Sequence, residues 1–341
     1  ATVQGALGVA RAGDVIEIAD DEAYFETIVI GMGQDGRPLD GLVLRGTSTP
    51  KAALDGSQAA ASLPVVTVSG AHNVRIENLA IRGGGQGVRF QDASGSVSRC
   101  SISTRSAGGG AHGIHVEPGS SVILEGNLIR DLGGMGVNVD GGDTLLVGNT
   151  LGDSQSYRPV GYHPVRIQNN GAATLFDNDL YPGGAATPVC HGLEIRSSKV
   201  SLLQGNLVQR AGGHGDGAYV TQESWLDSVE SRFFAHQGNG VLLENVSQGS
   251  SLFDEFFNNK GSGLQTLSNS RIDLASGHFL NNGVGILANG GELTVTNTVI
   301  GFSSSEGMRV LRPRNFRLAF GTVAQNGGLG VDVQGAFEGR I

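Results

Sequence analysis

Apolar and polar residues alternate along this chain in short runs, and each run is cut by glycine or asparagine before the pattern restarts. The clearest unit is an apolar-x-apolar triplet, usually led in by glycine. Its copies read GVRF from Gly87, GIHV from Gly113, GVNV from Gly136, PVRI from Pro164, GLEI from Gly192 and GAYV from Gly217. They continue as GVLL from Gly240, GLQT from Gly263, GILA from Gly285, GMRV from Gly307 and GVDV from Gly330. Counted from the first apolar position of each copy, the steps run from 22 to 28 residues. Alternation of period two is the pattern of a strand with one buried face. A fixed period of this size is that of a solenoid, whose coils touch only their neighbours. The first and third residues of each triplet should point inward and the middle one outward.

A second phrase lies between triplets: LEGNLI from Leu124, LVGNTL from Leu146, LFDNDL from Leu175, LQGNLV from Leu203 and VTNTVI from Val295. Its asparagines, Asn127, Asn149, Asn178, Asn206 and Asn297, are expected at one position of the coil, where amides can bond to one another up the stack. Residues 1–64 read as an N-terminal cap and the first coils. Val3, Leu7 and Ala10 have the spacing of a short amphipathic helix ended by Gly13 and Asp14. Val15–Asp20, Thr27–Ile30 and Leu42–Gly46 read as the first strands. Residues 65–341 read as regular coils that form one continuous domain with the cap. The expected architecture is all-β, a single-stranded right-handed parallel β-helix of eleven to thirteen coils with an N-terminal helical cap.

Composition agrees. Glycine fills 56 of 341 positions, without the Gly-X-Y period of collagen, and charged residues make up only 16 %. Turns that need positive φ explain the first, and a polar surface built from Asn, Ser and Thr explains the second. The net charge of −9 argues against nucleic acid and anionic membranes as partners. It leaves an anionic polysaccharide open, since a local basic patch suffices. No apolar run is long enough to span a membrane. Cys100 and Cys190 lie several coils apart, each coil rising about 4.8 Å, so two thiols rather than a disulfide are expected. The chain begins at Ala1 with no signal sequence, which reads as a mature or trimmed product.

The opening GDVIEIADDEAYFETIVI (Gly13–Ile30), followed by LVLRG, resembles the entry sequence of the pectate-lyase-like superfamily of right-handed parallel β-helices. The repeats are similar to the short β-helix repeats of its carbohydrate-binding and sugar-hydrolase members. The resemblance implies an extracellular, periplasmic or cell-surface protein. It does not select an activity, because that superfamily holds lyases, hydrolases, esterases, epimerases, phage spikes and adhesins.

Three outward columns flank each triplet, and in the second to sixth copies they carry His112, His115, Glu117, Asp140, His163, Arg166, His191, Glu194, Arg196, Asp216 and Tyr219, with His214 beside them. The same copies contain most of the long steps, and insertions in solenoids often gather on a binding face. The expected function is therefore binding of a polysaccharide, with lyase or hydrolase cleavage as an extension, through a polar face in residues 112–221. The bland alternative is a solvated ladder, in which Arg166 and Glu194 form a cross-coil ion pair; His112 and His236 read as turn residues rather than site residues.

A lyase needs a base for the proton α to a uronate carboxylate and a cation to hold that carboxylate. Arg166 and Arg196 fit the second role, and His191, His163 or Tyr219 the first. A hydrolase needs two carboxylates across the bond, and Glu194 with Asp216 is the best pair. Cys190–Ser197, CHGLEIRS, resembles the polygalacturonase stretch Gly-His-Gly-x-Ser-Ile-Gly-Ser, but the Asn-Thr-Asp and Asp-Asp that precede it in that family are absent. Substrate binding is expected from His115, Glu117, Asp140, His163, His214 and Tyr219. Asp140, Asp143 and Asp216 offer oxygen ligands to Ca²⁺ without forming a tight acidic run. His163, His191 and Asp216 share a column, but adjacent histidines also stack without metal, so no metal is assigned. In later copies Leu242, Leu267, Leu287 and Leu311 occupy outward positions. They suggest the alternative function, a non-catalytic surface, spike or filament component forming a homo-oligomer through its C-terminal coils.

Overall fold

The computed structural model describes residues 2–47, 51–60, 62–104, 111–152, 163–182, 189–209 and 215–335. It shows a right-handed parallel β-solenoid with a five-residue helix at its start. Two compact units are distinguished: residues 1–166 with 170–173, and residues 167–169 with 174–341.

Within each unit the chain turns through three parallel sheets, here called the first, second and third faces. One coil of the first unit runs Ser121–Glu125 on the first face, Leu128–Ile129 on the second and Val137–Asp140 on the third. One coil of the second unit runs Trp225–Val229, Arg232–Phe234 and Val241–Leu243 on the same faces. Every triplet listed above is a third-face strand or lies in one. Their predicted register is the observed one: Val88 pairs with Ile114 and Ile114 with Val137 in the first unit. Leu193, Ala218, Val241, Leu264, Ile286, Met308 and Val331 pair in succession in the second. The inward positions build the core. Val88, Phe90, Ile114, Val116, Val137 and Val139 are fully buried in the first unit. In the second, the buried rings of Phe233, Phe256 and Phe279 stack at 5.2 and 4.4 Å.

The corner between first and second faces explains the asparagine phrase. One residue in each coil takes a left-handed conformation: Gly126 (φ 60°) and Gly148 (φ 60°) in the first unit, Asp177 (φ 55°) and Gly205 (φ 86°) in the second. The next residue turns inward and is buried. Asn127 Oδ1 accepts the backbone N–H of Cys100 at 2.9 Å, and Asn149 Oδ1 accepts that of Asn127 at 3.0 Å. Asn206 Oδ1 does the same for Asn178 at 3.1 Å. These bonds satisfy backbone groups that the bend removes from the sheets. Asn297 departs from the expected column. It holds the left-handed position itself (φ 49°), and the buried ladder position belongs to Thr298. The apolar ends of VTNTVI, Val295 and Ile300, keep the register of the other copies, and only its asparagine stands one residue early.

The cap helix is shorter than the spacing predicts. It covers Val3–Leu7 and ends at Gly8, so Ala10 is buried beyond it rather than in it. Glycines at 5 and 8 weaken propagation. The Glu26 carboxylate fixes the start by accepting the N–H of Val3 at 2.7 Å and of Gln4 at 3.0 Å. Gln4 Oε1 in turn accepts the N–H of Val29 at 2.8 Å, occupying a donor on the first third-face strand, Ile28–Ile30. The helix thus covers a sheet edge that would otherwise be open. Cys100 and Cys190 are both buried thiols. Burial pushes Cys100 up to about 11.

Candidate functional site

The outward side of the third face carries the predicted residues, but outward there does not mean solvated. In the first unit, register places Arg89, His115 and Asn138 side by side. Asn138 is buried, as are His112 and His163 in the column before. The His112 and His115 rings meet edge to face at 5.4 Å, so His112 belongs to the group and is not merely a turn residue. Arg89 donates from Nε to Glu117 Oε1 at 2.7 Å, and His115 Nδ1 lies 3.9 Å from the same oxygen. The Arg166 guanidinium reaches the Met135 sulfur at 3.9 Å. Burial holds His112 down to about 4, aided by His115 and Arg166. Burial also lowers His115, with Arg89 adding to the effect and Glu117 and Asp140 opposing it. Both rings are therefore neutral near pH 7. Asp140 ends the third-face strand and Asp143 begins a first-face strand, so these two carboxylates belong to different faces of the coil.

In the second unit, His191, Asp216, Asn239 and Ser262 occupy one column before successive third-face strands, and Glu194 pairs in register with Tyr219. Glu194 is 2 % exposed and is ion-paired with Arg196 of its own strand. Asp216 is 4 % exposed, and its Oδ1 accepts both the backbone N–H of Asn239 at 2.7 Å and its side-chain amide at 2.8 Å. The Tyr219 ring lies over that of His191, centroids 4.6 Å apart and planes 20° apart. Its hydroxyl hydrogen-bonds Glu244, which also accepts from Asn245 Nδ2 at 3.3 Å. Burial and the bond to Glu244 raise Tyr219 to about 12, so it stays a proton donor at any ordinary pH. His236 follows the left-handed residue Ala235 (φ 59°) at a corner of the coil and is fully buried, an inward corner residue.

His214 and the segments 105–110, 153–162, 183–188 and 210–214 lie outside the described residues. Each of these segments falls between a second-face and a third-face strand in chain order. Among the described residues, no group of three or more His, Cys, Asp or Glu side chains is arranged to hold a metal ion. No helix is long and apolar enough to cross a membrane. Leu242, Leu267, Leu287 and Leu311 face outward on the third face of the second unit, half-buried rather than exposed. Glu244 and Asn239 enter the site although residue type alone does not mark them. Their column positions, beside Thr221 and Asp216, are the signal that finds them.

The family model described as "Right handed beta helix region" matches residues 64–279. No curated protein matches the chain. Among solved structures, the chain is similar to full-length tailspike protein 2 of Escherichia coli O157:H7 bacteriophage CAB120, with TM-score 0.59 and 12 % identity over 78 % of this chain and 39 % of that one. It is also similar to the catalytic unit of a GH87 α-1,3-glucanase from Streptomyces thermodiastaticus, with TM-score 0.56 and 12 % identity over 95 % and 64 %. A third is the A-module of an Azotobacter vinelandii mannuronan C-5 epimerase, with TM-score 0.51 and 13 % identity over 96 % and 91 %. The chain spans about two fifths of the tailspike's length. At these identities the likeness is one of fold.

Proposed function

This chain belongs to the right-handed β-helix family, and we propose that it binds a polysaccharide along the outward third face. The observation that carries this reading is the Tyr219 ring laid over His191, with its hydroxyl fixed by Glu244. A clamped aromatic ring with a polar edge offers a sugar an apolar face and a hydrogen bond at little entropic cost. Arg196, Thr221, Glu244 and Asn245 set polar groups around it. In the first unit, His115, Glu117, Asp140 and His163 are assigned to binding on that unit's own third face, and His214 keeps its assignment to binding in the second. The names of two similar structures, a glucanase and a mannuronan epimerase, support polysaccharides as the ligand class. A place outside the cytoplasm, extracellular, periplasmic or on a surface, is part of the proposal and rests on the resemblance of the sequence.

Binding is favoured over cleavage as the primary role, because the carboxylates of the hydrolase pair are already engaged, Glu194 by Arg196 and Asp216 by Asn239. The cleavage extension keeps two forms. In a hydrolase, Glu194 and Asp216 are the acid and base. In a lyase, Arg196 or Arg166 holds a uronate carboxylate, His191 or His163 takes the proton, and Tyr219, held protonated, donates one. The test is a glycan array with the intact chain. Titration of the best ligand against wild type and Tyr219→Ala follows, with unsaturated ends and reducing sugars monitored. A Tyr219→Ala loss of about tenfold or more is expected. Silence of the wild type on all glycans overturns the reading.

The second reading is a non-catalytic component that self-associates. Leu242 and Leu287 flank Gln265 in one column, and Leu267 and Leu311 flank Asn289 in the next, so four leucines stand on neighbouring strands of one face with two amides between them. Light scattering that finds a strict monomer at high concentration would remove it.

A further inference from the structure

The outward third face of the first unit holds a second, chemically different group. Gln86 and His112 are neighbours in one column, and Arg89, His115 and Asn138 in the next. Polar atoms of four of these side chains are shielded from solvent and have no hydrogen-bond partner among the described residues: Gln86 Oε1, His112 Nδ1, both nitrogens of His115, and Asn138 Oδ1. His112 is 8 % and Asn138 4 % exposed. A buried polar atom left unpaired loses its hydration without compensation, and here that loss recurs within one cluster. The asparagine ladders satisfy such groups at one corner of the coil; single unpaired hydroxyls occur elsewhere, as at Thr104, Thr144, Ser228 and Thr266, but here five such atoms gather on neighbouring side chains.

The kind of atom left over specifies the partner. Two are amide oxygens, which only accept. Each neutral imidazole has one nitrogen that donates and one that accepts. The full charges that face the rings are Arg89, Glu117, Asp140 and Arg166. Arg89 is spent on Glu117, and the Arg166 guanidinium lies against the Met135 sulfur. A carboxylate or sulfate is acceptor-only, and would leave both amide oxygens unmet and face them with like charge. A cation would meet the oxygens but not the donor nitrogens. A hydroxyl donates and accepts at one atom, so adjacent hydroxyls match a mixed set of donors and acceptors.

Resting on the reading that the third face binds sugar, we infer that Gln86, His112, His115 and Asn138 form a subsite for the vicinal hydroxyls of a neutral sugar unit, not for a uronate carboxylate. Burial keeps both histidines uncharged, which suits a neutral ligand and leaves the two rings without a charge to attract an anion. The arrangement bears on the cleavage extension too, because a lyase needs a uronate at the reacting unit, and none of these four side chains is a cation that holds one.

The experiment is calorimetric titration of the full chain with two sets of hexasaccharides, neutral hexose oligomers and uronate oligomers, at about 50 and about 500 mM salt. The expected result is binding of a neutral oligomer with a Kd that salt leaves unchanged, weakened about tenfold or more by His115→Ala and by Asn138→Leu. Circular dichroism melts check that the variants fold. As a reading that needs no variant, long-range ¹H–¹⁵N spectra of the wild-type histidines should show His112 and His115 nitrogens shifting on addition of the neutral oligomer. Binding of uronate oligomers alone, or binding that collapses with salt, overturns this inference and leaves polysaccharide binding standing. Binding of neither set overturns both. Neutral binding with unmoved His112 and His115 resonances places the sugar elsewhere and also overturns it.

Discussion

His191 accepts the backbone N–H of Asp216 on its Nδ1 at 3.1 Å. The same relation repeats down the column, with Asp216 Oδ1 accepting the N–H of Asn239 at 2.7 Å and Asn239 Oδ1 accepting that of Ser262 at 2.8 Å. A histidine and an aspartate that look catalytic in the sequence thus stand in a hydrogen-bonded ladder with an asparagine. An Nδ1 that accepts leaves the hydrogen on Nε2. The 3.3 Å approach of Nδ1 to Asp216 Oδ2 is then proximity rather than an ion pair, since one nitrogen lone pair does not both accept and donate.

The ladder predicts the Nε2–H tautomer for His191 near pH 7, readable from its ¹⁵N shifts. His191→Asn keeps an acceptor and should unfold close to wild type in urea. His191→Ala should lose about 1–3 kcal/mol, and Asp216→Ala more, because it strands two Asn239 donors. An Nδ1–H tautomer would contradict the ladder.

Asp254 is an acid in an asparagine position. It is fully buried, accepts the N–H of Ser231 at 2.8 Å and the Ser251 hydroxyl at 2.6 Å, and burial raises it from 3.8 to about 6. The folded state favours the protonated form. Its contribution is complete below the ordinary carboxyl value and is lost as pH rises from about 4 to about 6, by about 3 kcal/mol at one unit per 1.4 kcal/mol. Asp254→Asn should therefore stabilise the protein near pH 7 and do little near pH 4. Denaturant midpoints at the two pH values check this, and an equal shift at both would refute it.

His236 has the opposite sign. Its Nε2 lies 3.1 Å from Val208 O, as Asn259 Nδ2 lies 3.2 Å from Phe233 O and Asn282 Nδ2 2.9 Å from Phe256 O. The imidazole is a stand-in for an asparagine amide, and burial lowers it from 6.5 to about 3. Its contribution is present above the ordinary histidine value and is lost as pH falls below it, by about 3 kcal/mol near pH 4. His236→Asn should flatten the acid limb of the stability profile. A limb of unchanged slope would place the acid sensitivity elsewhere.

Two glycines separate steric from conformational demand. A Cβ on Gly95 would meet Val74 O at 2.1 Å, an oxygen fixed in the first-face ladder, whereas a Cβ on Gly148 meets nothing within 4 Å. Gly95→Ala should cost about 3 kcal/mol or more. Gly148→Ala should cost about 1–2 kcal/mol for the left-handed backbone alone, a conformation that Arg99 and Glu230 already adopt at the same corner. Equal melting shifts for the two variants would refute the distinction.

The sequence by itself determined the coil, because its signal is one-dimensional. Side chains in a solenoid contact copies one period away, so counting between Val88, Ile114 and Val137 already gives the register that the strands adopt. The same counting assigned His115, Glu194 and Tyr219 to one outward face. It could not fix their burial or their partners, since a column shows which residues are neighbours and not how their hydrogen bonds close. Only the tertiary structure decided that Glu194 is sealed by Arg196, that Asp216 serves the backbone of Asn239, and that His236 lies in the core. The spacing from Val295 to Ile300 already aligns Asn297 with Gly126 rather than with Asn127; the tertiary structure added that this position is the left-handed corner, because a corner is defined by φ. The unpaired atoms of His115 and Asn138 were beyond the reach of any pattern, since they follow from what the folded chain fails to supply.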